Sequence, residues 1–205
     1  MLSSRTPLLV KKIYNSLTWD IHDRDDTVYL TFDDGPTPDV TGQVLDILKT
    51  YNARATFFCI GRNAERNPLL YNRTISEGHA VGNHTYSHLN GLKTKNNDYY
   101  NDIRLAQSIT PSDLFRPPYG MIKPSQINYL RKLYTIIMWD IMSYDYDPGV
   151  SKEKCLANVL TTVRPGSIVV FHDSVKASEK VLYALPRVLE FLKEKKYECK
   201  EIKAP

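Results

Sequence analysis

Short apolar runs rich in β-branched and aromatic residues alternate along the chain with longer segments whose apolar positions recur every three or four residues. The short runs predict strands over Val28–Phe32, Ala55–Ile60, Ala80–Asn83, Leu114–Arg116, Ile136–Asp140 and Ile168–His172. The longer segments predict helices over Val40–Tyr51, Asn63–Gly78, Asn97–Ile109, Pro124–Leu133, Lys152–Val163 and Ser178–Lys196. This alternation is typical of repeated β/α units around a mainly parallel sheet.

Six or more such units fit either a β/α barrel or an open doubly wound sheet. The barrel is favoured because the polar residues of interest directly follow the predicted strands, where barrel enzymes build their sites. No linker rich in proline and serine, no fixed-period repeat and no low-complexity segment marks a second domain. The sequence therefore predicts one α/β domain over residues 1–205, a distorted TIM-like (β/α) barrel of about seven units.

Composition places the chain among ordinary globular proteins. It has 205 residues, of which 42% are hydrophobic and 24% charged, enough for one sizeable core. The net charge of +4 is dispersed, with no basic block longer than Lys193–Lys196, so a nucleic-acid partner is not indicated. Cys59, Cys155 and Cys199 are irregularly spaced, which fits neither a disulfide framework nor a zinc ribbon and predicts buried thiols.

The N-terminal sequence lacks the marks of a secretion signal. Its apolar run Pro7–Val10 is too short for a signal-peptide core and is followed by Lys11 and Lys12 where a cleavage site would stand. No stretch approaches the roughly 18 apolar residues of a membrane-spanning helix. From the sequence we expect no signal peptide and no transmembrane segment, hence a cytoplasmic protein.

Two adjacent carboxylates, Asp33 and Asp34, end a predicted strand and precede a Gly-Pro turn. Neighbouring carboxylates repel each other unless a cation or hydrogen-bond donors lie between them. A metal ion would resolve this conflict. A solvated turn is the alternative, since Asp-Gly and Gly-Pro are ordinary turn pairs.

His84 and His88 follow another predicted strand, where it passes into a loop or a first helical turn. On a helix, residues four apart share a face, so two imidazoles could converge on one ion. A chance pair is the alternative. With one of the two neighbouring carboxylates, however, they form a ligand set that suits zinc, or cobalt or nickel, and leaves a position open for water. The other carboxylate would then be available as a general base.

Three further segments carry candidate chemistry. Two prolines stiffen the turn Arg116–Gly120, which could hold Arg116 and the Tyr119 backbone N–H at fixed positions or could be only a rigid surface loop. Carboxylates stand among aromatic residues over Trp139–Asp147, a composition that suits a pyranose ring and also an ordinary amphipathic loop. His172 closes an apolar strand, either as a proton donor or as a satisfied polar residue.

Other enzyme classes lack their motifs in this sequence. There is no G-x-S-x-G elbow, no P-loop and no G-x-G-x-x-G, so neither an α/β-hydrolase nor a nucleotide- or dinucleotide-binding enzyme is indicated. The run His172-Asp173-Ser174 is no catalytic triad, because neighbours in sequence rarely point together.

Taken in order, the five segments resemble the polysaccharide deacetylase family, also known as the nodulation-protein-B homology domain or carbohydrate esterase family 4. The motifs run from about Tyr29 to Asp173, and Thr31–Pro36 with His84–His88 is the specific combination. The resemblance implies a distorted β/α barrel and metal-assisted hydrolysis of an acetamido group on a hexosamine.

The resemblance also implies a role for each matching residue. Asp34, His84 and His88 would bind the metal, and Asp33 would be the catalytic base. Arg116 and Asp145 would orient and tune that base, and His172 would be the general acid that protonates the leaving amine. Tyr119 would bind the oxyanion through its backbone N–H, and Val170 stands where the family usually has an acetyl-pocket leucine. Tyr146 replaces the family's usual tryptophan, so both departures fall on expected substrate-binding positions.

The resulting hypothesis is deacetylation of N-acetylglucosamine-type residues in a peptidoglycan or chitin-like glycan, which also implies action at the cell envelope. Two alternatives keep the same machinery: an O-acetyl xylan esterase and an amino-sugar deformylase. A third is a sugar-binding pseudoenzyme with the fold and no turnover.

Overall fold

The computed structural model describes residues 4–22 and 25–204, in which seven parallel strands form a curled half-barrel. These strands are β1 (Thr27–Asp33), β2 (Thr56–Cys59), β3 (Ala80–Asn83), β4 (Leu114–Phe115), β5 (Thr135–Ile136), β6 (Ile141–Met142) and β7 (Ile168–His172). Across the sheet they run in the order β5, β4, β3, β2, β1, β7, β6. A short strand β8 (Glu198–Cys199) pairs with the start of β1. The predicted α/β barrel is thus confirmed in a half-barrel form.

Helices cover the outside of this sheet. They are α1 (Leu8–Ile13), α2 (Thr41–Thr50), α3 (Gly61–Arg66), α4 (Pro68–Ser76), α5 (Asn96–Ile109), α6 (Pro124–Leu130), α7 (Lys152–Leu160) and α8 (Ser178–Glu194). Single 3-10 turns lie at Pro118–Gly120 and Val175–Ala177. In the described part of the chain, no helix combines the length and the apolar character that crossing a bilayer requires.

The central strand β1 shows how the sequence builds both faces of the sheet. Side chains alternate along a strand, so Val28, Leu30 and Phe32 point outward and join the apolar core under the helices. Each such side chain contributes roughly 1.5–3 kcal/mol by leaving water. Thr31 and Asp33 point to the opposite, concave face. The interior of the half-barrel therefore receives polar groups from a strand that is buried along its whole length.

The register of the strands brings their carboxyl ends to one edge. Asp33 at the end of β1 pairs with His172 at the end of β7, and Asn83 at the end of β3 pairs with Phe115 at the end of β4. Polar residues that close or follow separate strands are consequently neighbours in space. This edge carries the cleft described below.

The predicted helix over Asn63–Gly78 is in fact two helices, α3 and α4. Pro68 begins α4, and its ring and missing N–H prevent an unbroken helix from running through it. Asn67, the residue before the proline, has φ −127° and ψ 56°, outside the helical region, as expected at such a position. The sequence placed the helical residues correctly and missed the break.

The predicted strand over Ile136–Asp140 was also wrong in its extent. The chain forms β5 and β6 at opposite ends of the sheet order, and residues 137–140 lie between them. The N-terminal strap, residues 4–20, covers this gap. Thr18 N–H donates to the Ile136 carbonyl at 2.9 Å, Thr6 N–H to the Asp140 carbonyl at 2.8 Å, and Met142 N–H to the Ser4 carbonyl at 2.8 Å.

Asp140 fastens the strap to the sheet. Its carboxylate is fully buried and accepts hydrogen bonds from the Arg5 guanidinium, the Lys11 ammonium and the Ser167 hydroxyl. These bonds more than offset the cost of burial, so the pKa of Asp140 lies below its ordinary value. Neither α1 within the strap nor β8 was predicted from the sequence.

The three cysteines are free thiols, and the predicted burial holds for two of them. Cys59 and Cys155 are buried, whereas Cys199 is only partly buried. Burial raises the pKa of both Cys155 and Cys199 to about 12, which keeps these thiols protonated near neutral pH.

Candidate active site

A cleft of about 190 Å³ opens at the edge where the carboxyl ends of the strands meet. Most of its lining comes from loops that follow the strands. The lining residues are Asp33, Asp34, His84, His88, Tyr119, Gly120, Trp139, Met142, Tyr146, His172 and Lys176. Segments that are far apart in the sequence, with seven of the ten candidate residues, therefore share one concave surface.

The carboxylates of Asp33, at the end of β1, and of Asp34, in the turn that follows, point in different directions. Asp34 adopts φ 83°, a left-handed conformation that aspartate tolerates better than most residues. Gly35 N–H donates to Asp173 Oδ1 at 3.0 Å, and Asn63 Nδ2 donates to the Asp34 carbonyl at 2.7 Å. A Cβ atom at Gly35 would lie 1.9 Å from Asp173 Oδ2, so only glycine fits there.

Asp173 supports this turn from beneath. Its buried carboxyl accepts from Gly35 N–H and from Thr41 Oγ1, which lies 2.5 Å from Oδ2. Burial is the main cause that raises the pKa of Asp173 to about 7, and nearby Asp34 adds to it. No specific role for Asp173 was predictable from the sequence, because its partners are a backbone N–H and a hydroxyl from another segment.

Three ligand-type side chains converge at the floor of the cleft. Asp34 Oδ1 lies 3.1 Å from His88 Nε2 and 3.9 Å from His84 Nε2, and one ligand atom from each residue lies within 4.8 Å of the others. One carboxylate and two imidazoles at this separation are the donor set of a catalytic zinc site. The predicted ligands are therefore brought together by the structure.

The convergence of the two histidines does not come from a helix. Residues 84–88 form an irregular loop in which Thr85 has φ 61° and His88 has φ 60°. These left-handed residues turn the chain back so that both rings face the same point. The helical geometry considered for the pair was wrong, although the pair itself meets.

Hydrogen bonds fix the orientation of both imidazole rings. His84 Nδ1 lies 2.7 Å from the Arg116 carbonyl, which can only accept, so Nδ1 carries the proton and the Nε2 lone pair faces Asp34. His88 Nδ1 lies 3.1 Å from the Tyr119 hydroxyl. Such outer contacts are typical of metal-binding histidines.

The protonation states also suit a cation. Burial lowers the pKa of His84 to about 4, which leaves its ring neutral at physiological pH. Burial opposes ionisation of Asp34, but the hydrogen bond from His88 and the neighbouring histidine rings outweigh it and lower the pKa of the carboxyl. A neutral imidazole and an ionised carboxylate are the ligand forms of these groups, so the residues fit a divalent metal ion.

Arg116 lies against Asp33 inside the half-barrel. Its fully buried guanidinium donates from Nη1 to Asp33 Oδ1 at 2.7 Å and to Thr31 Oγ1 at 2.8 Å. Nε and Nη2 donate to the carbonyls of Ile137 and Met138. Burial lowers the pKa of Arg116, and Asp33 counteracts this. Asp33, the candidate base, is thus held by Arg116, whose Nε and Nη2 donors bond to backbone carbonyls.

Asp145 contacts His172, not Asp33. Its Oδ1 lies 2.7 Å from His172 Nδ1, and its Oδ2 accepts the His172 backbone N–H at 2.7 Å. From the resemblance, Asp145 and Arg116 were both expected to orient Asp33. In the structure Arg116 contacts Asp33 and Asp145 contacts His172, because each residue reaches the site from a different loop. Burial disfavours the charged ring, but the Asp145 charge and hydrogen bond prevail and raise the pKa of His172 to about 9.

Aromatic side chains form the walls of the cleft. Tyr119 has φ 61° and an exposed ring whose centroid is 4.6 Å from that of His88. The Tyr146 ring meets the His172 ring edge-on at 4.9 Å. Trp139 and Met142 complete the lining, with the Trp139 ring packed against Gly120, where a Cβ would clash.

Val170 does not line the cleft, in contrast to the expectation from the resemblance. It lies two residues before His172 on β7, so its side chain shares the concave face but sits one layer deeper. Val170 is fully buried there. Met142, which is paired with Val170 in the sheet register, reaches the cleft instead.

Lys176 was not found by sequence reasoning. It lies on the 3-10 turn after β7, with Nζ 3.7 Å from Asp34 Oδ2 and 5.6 Å from the centroid of the Tyr146 ring. The residues around Lys176 form no motif that would mark a lysine as part of a site. The available indication was its position four residues after His172, in the loop that follows a strand ending at the site.

Comparison with known proteins gives a consistent result. The family model described as polysaccharide deacetylase matches residues 20–135. A peptidoglycan-N-acetylglucosamine deacetylase of Bacillus cereus is 34% identical over 190 residues, covering 88% of each chain. A chitooligosaccharide deacetylase of Azorhizobium caulinodans is 33% identical, covering 77% of this chain and 78% of that protein.

Solved structures agree with these relatives. The crystal structure of the Bc1960 peptidoglycan N-acetylglucosamine deacetylase, in complex with 4-naphthalen-1-yl-N-oxidanyl-benzamide, superposes with a TM-score of 0.88 at 33% identity. The superposition covers 96% of this chain and 95% of that one.

Proposed function

Because this chain belongs to the polysaccharide deacetylase family and is a hydrolase, we propose that it removes the N-acetyl group from N-acetylglucosamine-type residues of a glycan and releases acetate. The glycan would be peptidoglycan or a chitin-like oligomer, the substrates in the names of its relatives. The observation that carries the proposal is the meeting of Asp34, His84 and His88 in the cleft that also contains Asp33 and His172.

Asp34, His84 and His88 would hold one divalent ion, zinc in the first place and cobalt or nickel as alternatives. When bound, such an ion polarises a carbonyl oxygen and lowers the pKa of water. The remaining chemistry falls to groups of the chain itself.

Asp33 would act as the general base. Arg116 engages Asp33 Oδ1, so Oδ2 remains to take the proton of the attacking water. Arg116 also donates to the Thr31 hydroxyl and to the carbonyls of Ile137 and Met138, so its own position is fixed. The Asp33 carboxylate is thereby held ready in one orientation.

The Tyr119 backbone N–H would stabilise the negative charge that develops on the carbonyl oxygen of the acetamido group. Pro117 and Pro118 stiffen the turn that presents this N–H. In comparable sites, loss of one oxyanion donor typically reduces the rate by about 10²–10³.

His172 would supply the proton to the leaving amine. Its Nδ1 donates to Asp145, so Nε2 holds the proton that is transferred as the C–N bond breaks. A pKa of about 9 keeps the ring protonated near neutral pH. Trp139 and Tyr146, at the walls of the cleft, would contact the faces of the sugar.

The test is acetate release from N-acetylglucosamine oligomers. Wild type, Asp33→Asn and His84→Ala are assayed after chelation and again after zinc or cobalt is restored. Asp113→Asn is the matched control, because Asp113 is exposed and precedes β4 at the opposite edge of the sheet.

Wild type and Asp113→Asn should release acetate, lose this activity on chelation and regain it when metal is restored. Asp33→Asn and His84→Ala should release no acetate. If wild type binds metal but releases no acetate from these oligomers, the N-deacetylase proposal is rejected. Acetylated xylan and an N-formyl amino sugar, assayed in parallel, then decide between the esterase and the deformylase.

A further inference from the structure

A second depression, here called the side groove, opens beside the catalytic cleft and shares one wall with it. Its volume is about 390 Å³. The shared wall consists of Asp34, His88, Tyr119 and Lys176. The outer wall includes Arg62, Asn63 and Ser174. A molecule that places its reacting group over Asp34 can therefore extend directly into the side groove.

Positive charge dominates the side groove. Lys176 has 57% of its side chain exposed, and Arg62 is exposed on the first turn of α3. Among the described residues that line the groove, Asp34 is the one carboxylate. The Ser174 hydroxyl is buried at the groove and has no hydrogen-bond partner within the described residues. A buried hydroxyl of this kind is costly to leave unpaired, so it needs a partner, either water or a group bound in the groove.

The charge of the half-exposed Lys176 becomes available to a bound anion once the site is in use. Its carboxylate neighbour is Asp34 Oδ2, at 3.7 Å, too long for a hydrogen bond. Asp34 is also the proposed metal ligand, and a divalent ion would take up its negative charge. The Lys176 ammonium would then face another cation, with no second carboxylate of the described residues within ion-pair distance.

We propose that the side groove binds an anionic substituent, a carboxylate or a phosphate ester, on the sugar next to the residue that loses its acetyl group. Lys176 supplies a compact ammonium, Arg62 a planar guanidinium with several donors, and Ser174 a hydroxyl donor. This inference rests on the proposed function and narrows its substrate class. The preferred substrate is an acidic N-acetylated glycan, not a neutral chitin-like chain.

The test compares oligomers that differ only in charge. One pair is an N-acetylglucosamine tetramer whose alternate sugars carry a 3-O-lactyl carboxylate, and the methyl ester of the same tetramer. A second pair is a tetramer bearing a 6-phosphate and its unphosphorylated parent. These two arms distinguish a carboxylate from a phosphate as the bound group.

The variants are Lys176→Met, Lys176→Arg and Arg62→Met. Lys49→Met is the control, because Lys49 is an exposed lysine on α2 and is absent from the lining of both the cleft and the groove. All three positions are on the surface, so folding is not at risk.

Wild type should prefer the anionic member of one pair on the order of tenfold in kcat/KM, mainly through KM, and added salt should reduce this preference. Lys176→Met and Arg62→Met should lose most of the preference, measured within each variant as the ratio of kcat/KM for the two members of a pair. Lys176→Arg should retain the preference, and Lys49→Met should match wild type.

Binding of the same oligomers to zinc-loaded Asp33→Asn protein, which lacks the proposed base and keeps all three proposed metal ligands, gives a readout independent of turnover. Tighter binding of the anionic member by this protein, lost when Lys176→Met is added, supports the inference even if wild type deacetylates no oligomer; absence of turnover contradicts the proposed function alone. Equal binding by the Asp33→Asn protein and equal rates of wild type for both members of each pair overturn the inference. So does a Lys176→Met variant whose only change is its zinc affinity, since Lys176 would then act on Asp34 and not on substrate.

Discussion

Asp145 contacts His172 through both of its carboxylate oxygens, one on the ring Nδ1 and one on the backbone N–H, each at 2.7 Å. Asp145 is fully buried, so the negative charge acts on the imidazole with little screening by water. The contact fixes which ring nitrogen faces the cleft. It also raises the pKa of His172 to about 9 against the effect of burial.

Replacing Asp145 by Asn should shift the pH–rate profile. An acid catalyst is active while protonated, so activity declines as pH rises through the pKa of His172. Without the Asp145 charge that pKa falls from about 9 toward or below the ordinary 6.5, and the alkaline limb of kcat/KM moves to lower pH. Profiles of acetate release from pH 5 to 10 measure the shift. Asp147→Asn serves as the control, and an unshifted alkaline limb in Asp145→Asn would mean that His172 does not set it.

Replacing Tyr119 by Phe should separate its two contacts with the site. The change removes the hydroxyl near His88 Nδ1 and leaves the backbone N–H in place. Loss of an outer contact to a metal-binding histidine typically weakens metal affinity by about 10–100-fold, so the lower end is expected for this exposed tyrosine. Competition between cobalt and a chelator measures the affinity, with Tyr129→Phe as control.

At saturating metal, Tyr119→Phe should keep kcat within about threefold, because the oxyanion donor is unchanged. A large loss of kcat under these conditions would instead place the hydroxyl against the reacting atoms.

Replacing Arg116 by Met should destabilise the fold as well as abolish activity. The change leaves the Asp33 carboxylate and the Ile137 and Met138 carbonyls without their buried donor. Removing one partner of a buried ion pair typically costs about 3–5 kcal/mol in the free energy of unfolding. Urea denaturation measures it, and Arg131→Met, an exposed arginine, should change stability by less than about 0.5 kcal/mol.

The double variant Arg116→Met/Asp33→Asn should recover part of that loss, because it no longer leaves a charge buried alone. If the two single losses simply add, the pairing of Arg116 with Asp33 contributes nothing to stability.

Replacing Asp140 by Asn should loosen the N-terminal strap. Arg5 and Lys11 would both lose an anionic partner, for an expected cost of about 2–4 kcal/mol in the free energy of unfolding. Because the strap bonds to the backbone of Trp139 and Met142, which line the cleft, KM should rise as well. Asp20→Asn, which removes the more exposed partner of Lys11, should cost only about 1 kcal/mol. Equal losses for the two variants would contradict the role given to Asp140.

The candidate site could be predicted from the sequence to the extent that its signals were local. Two pairs of site residues are close in sequence, Asp33 with Asp34 and His84 with His88. Each pair stands at or just after the end of an apolar strand. Parallel strands deliver such residues to one edge of a sheet. The meeting of the predicted ligands is therefore a consequence of strand periodicity and motif position together.

Partners from distant segments could not be predicted in this way. Asp145 lies 27 residues before His172, and Arg116 lies 83 residues after Asp33. Which carboxylate meets which cation depends on sheet register and on loop conformation. The positive φ of Thr85 and His88 likewise follows from the packing of a loop, since a spacing of four residues does not distinguish a loop from a first helical turn.

The sequence by itself determined the parallel β/α architecture, the family and the inventory of reactive groups, because these depend on periodicity and on residue types within short segments. Only the tertiary structure decided that Asp145 serves His172, that Val170 lies below the cleft, that the strap closes the gap between β5 and β6, and that Lys176 stands over Asp34. Those contacts join segments whose separation in the chain carries no local pattern, so they are set by the packing of the whole domain.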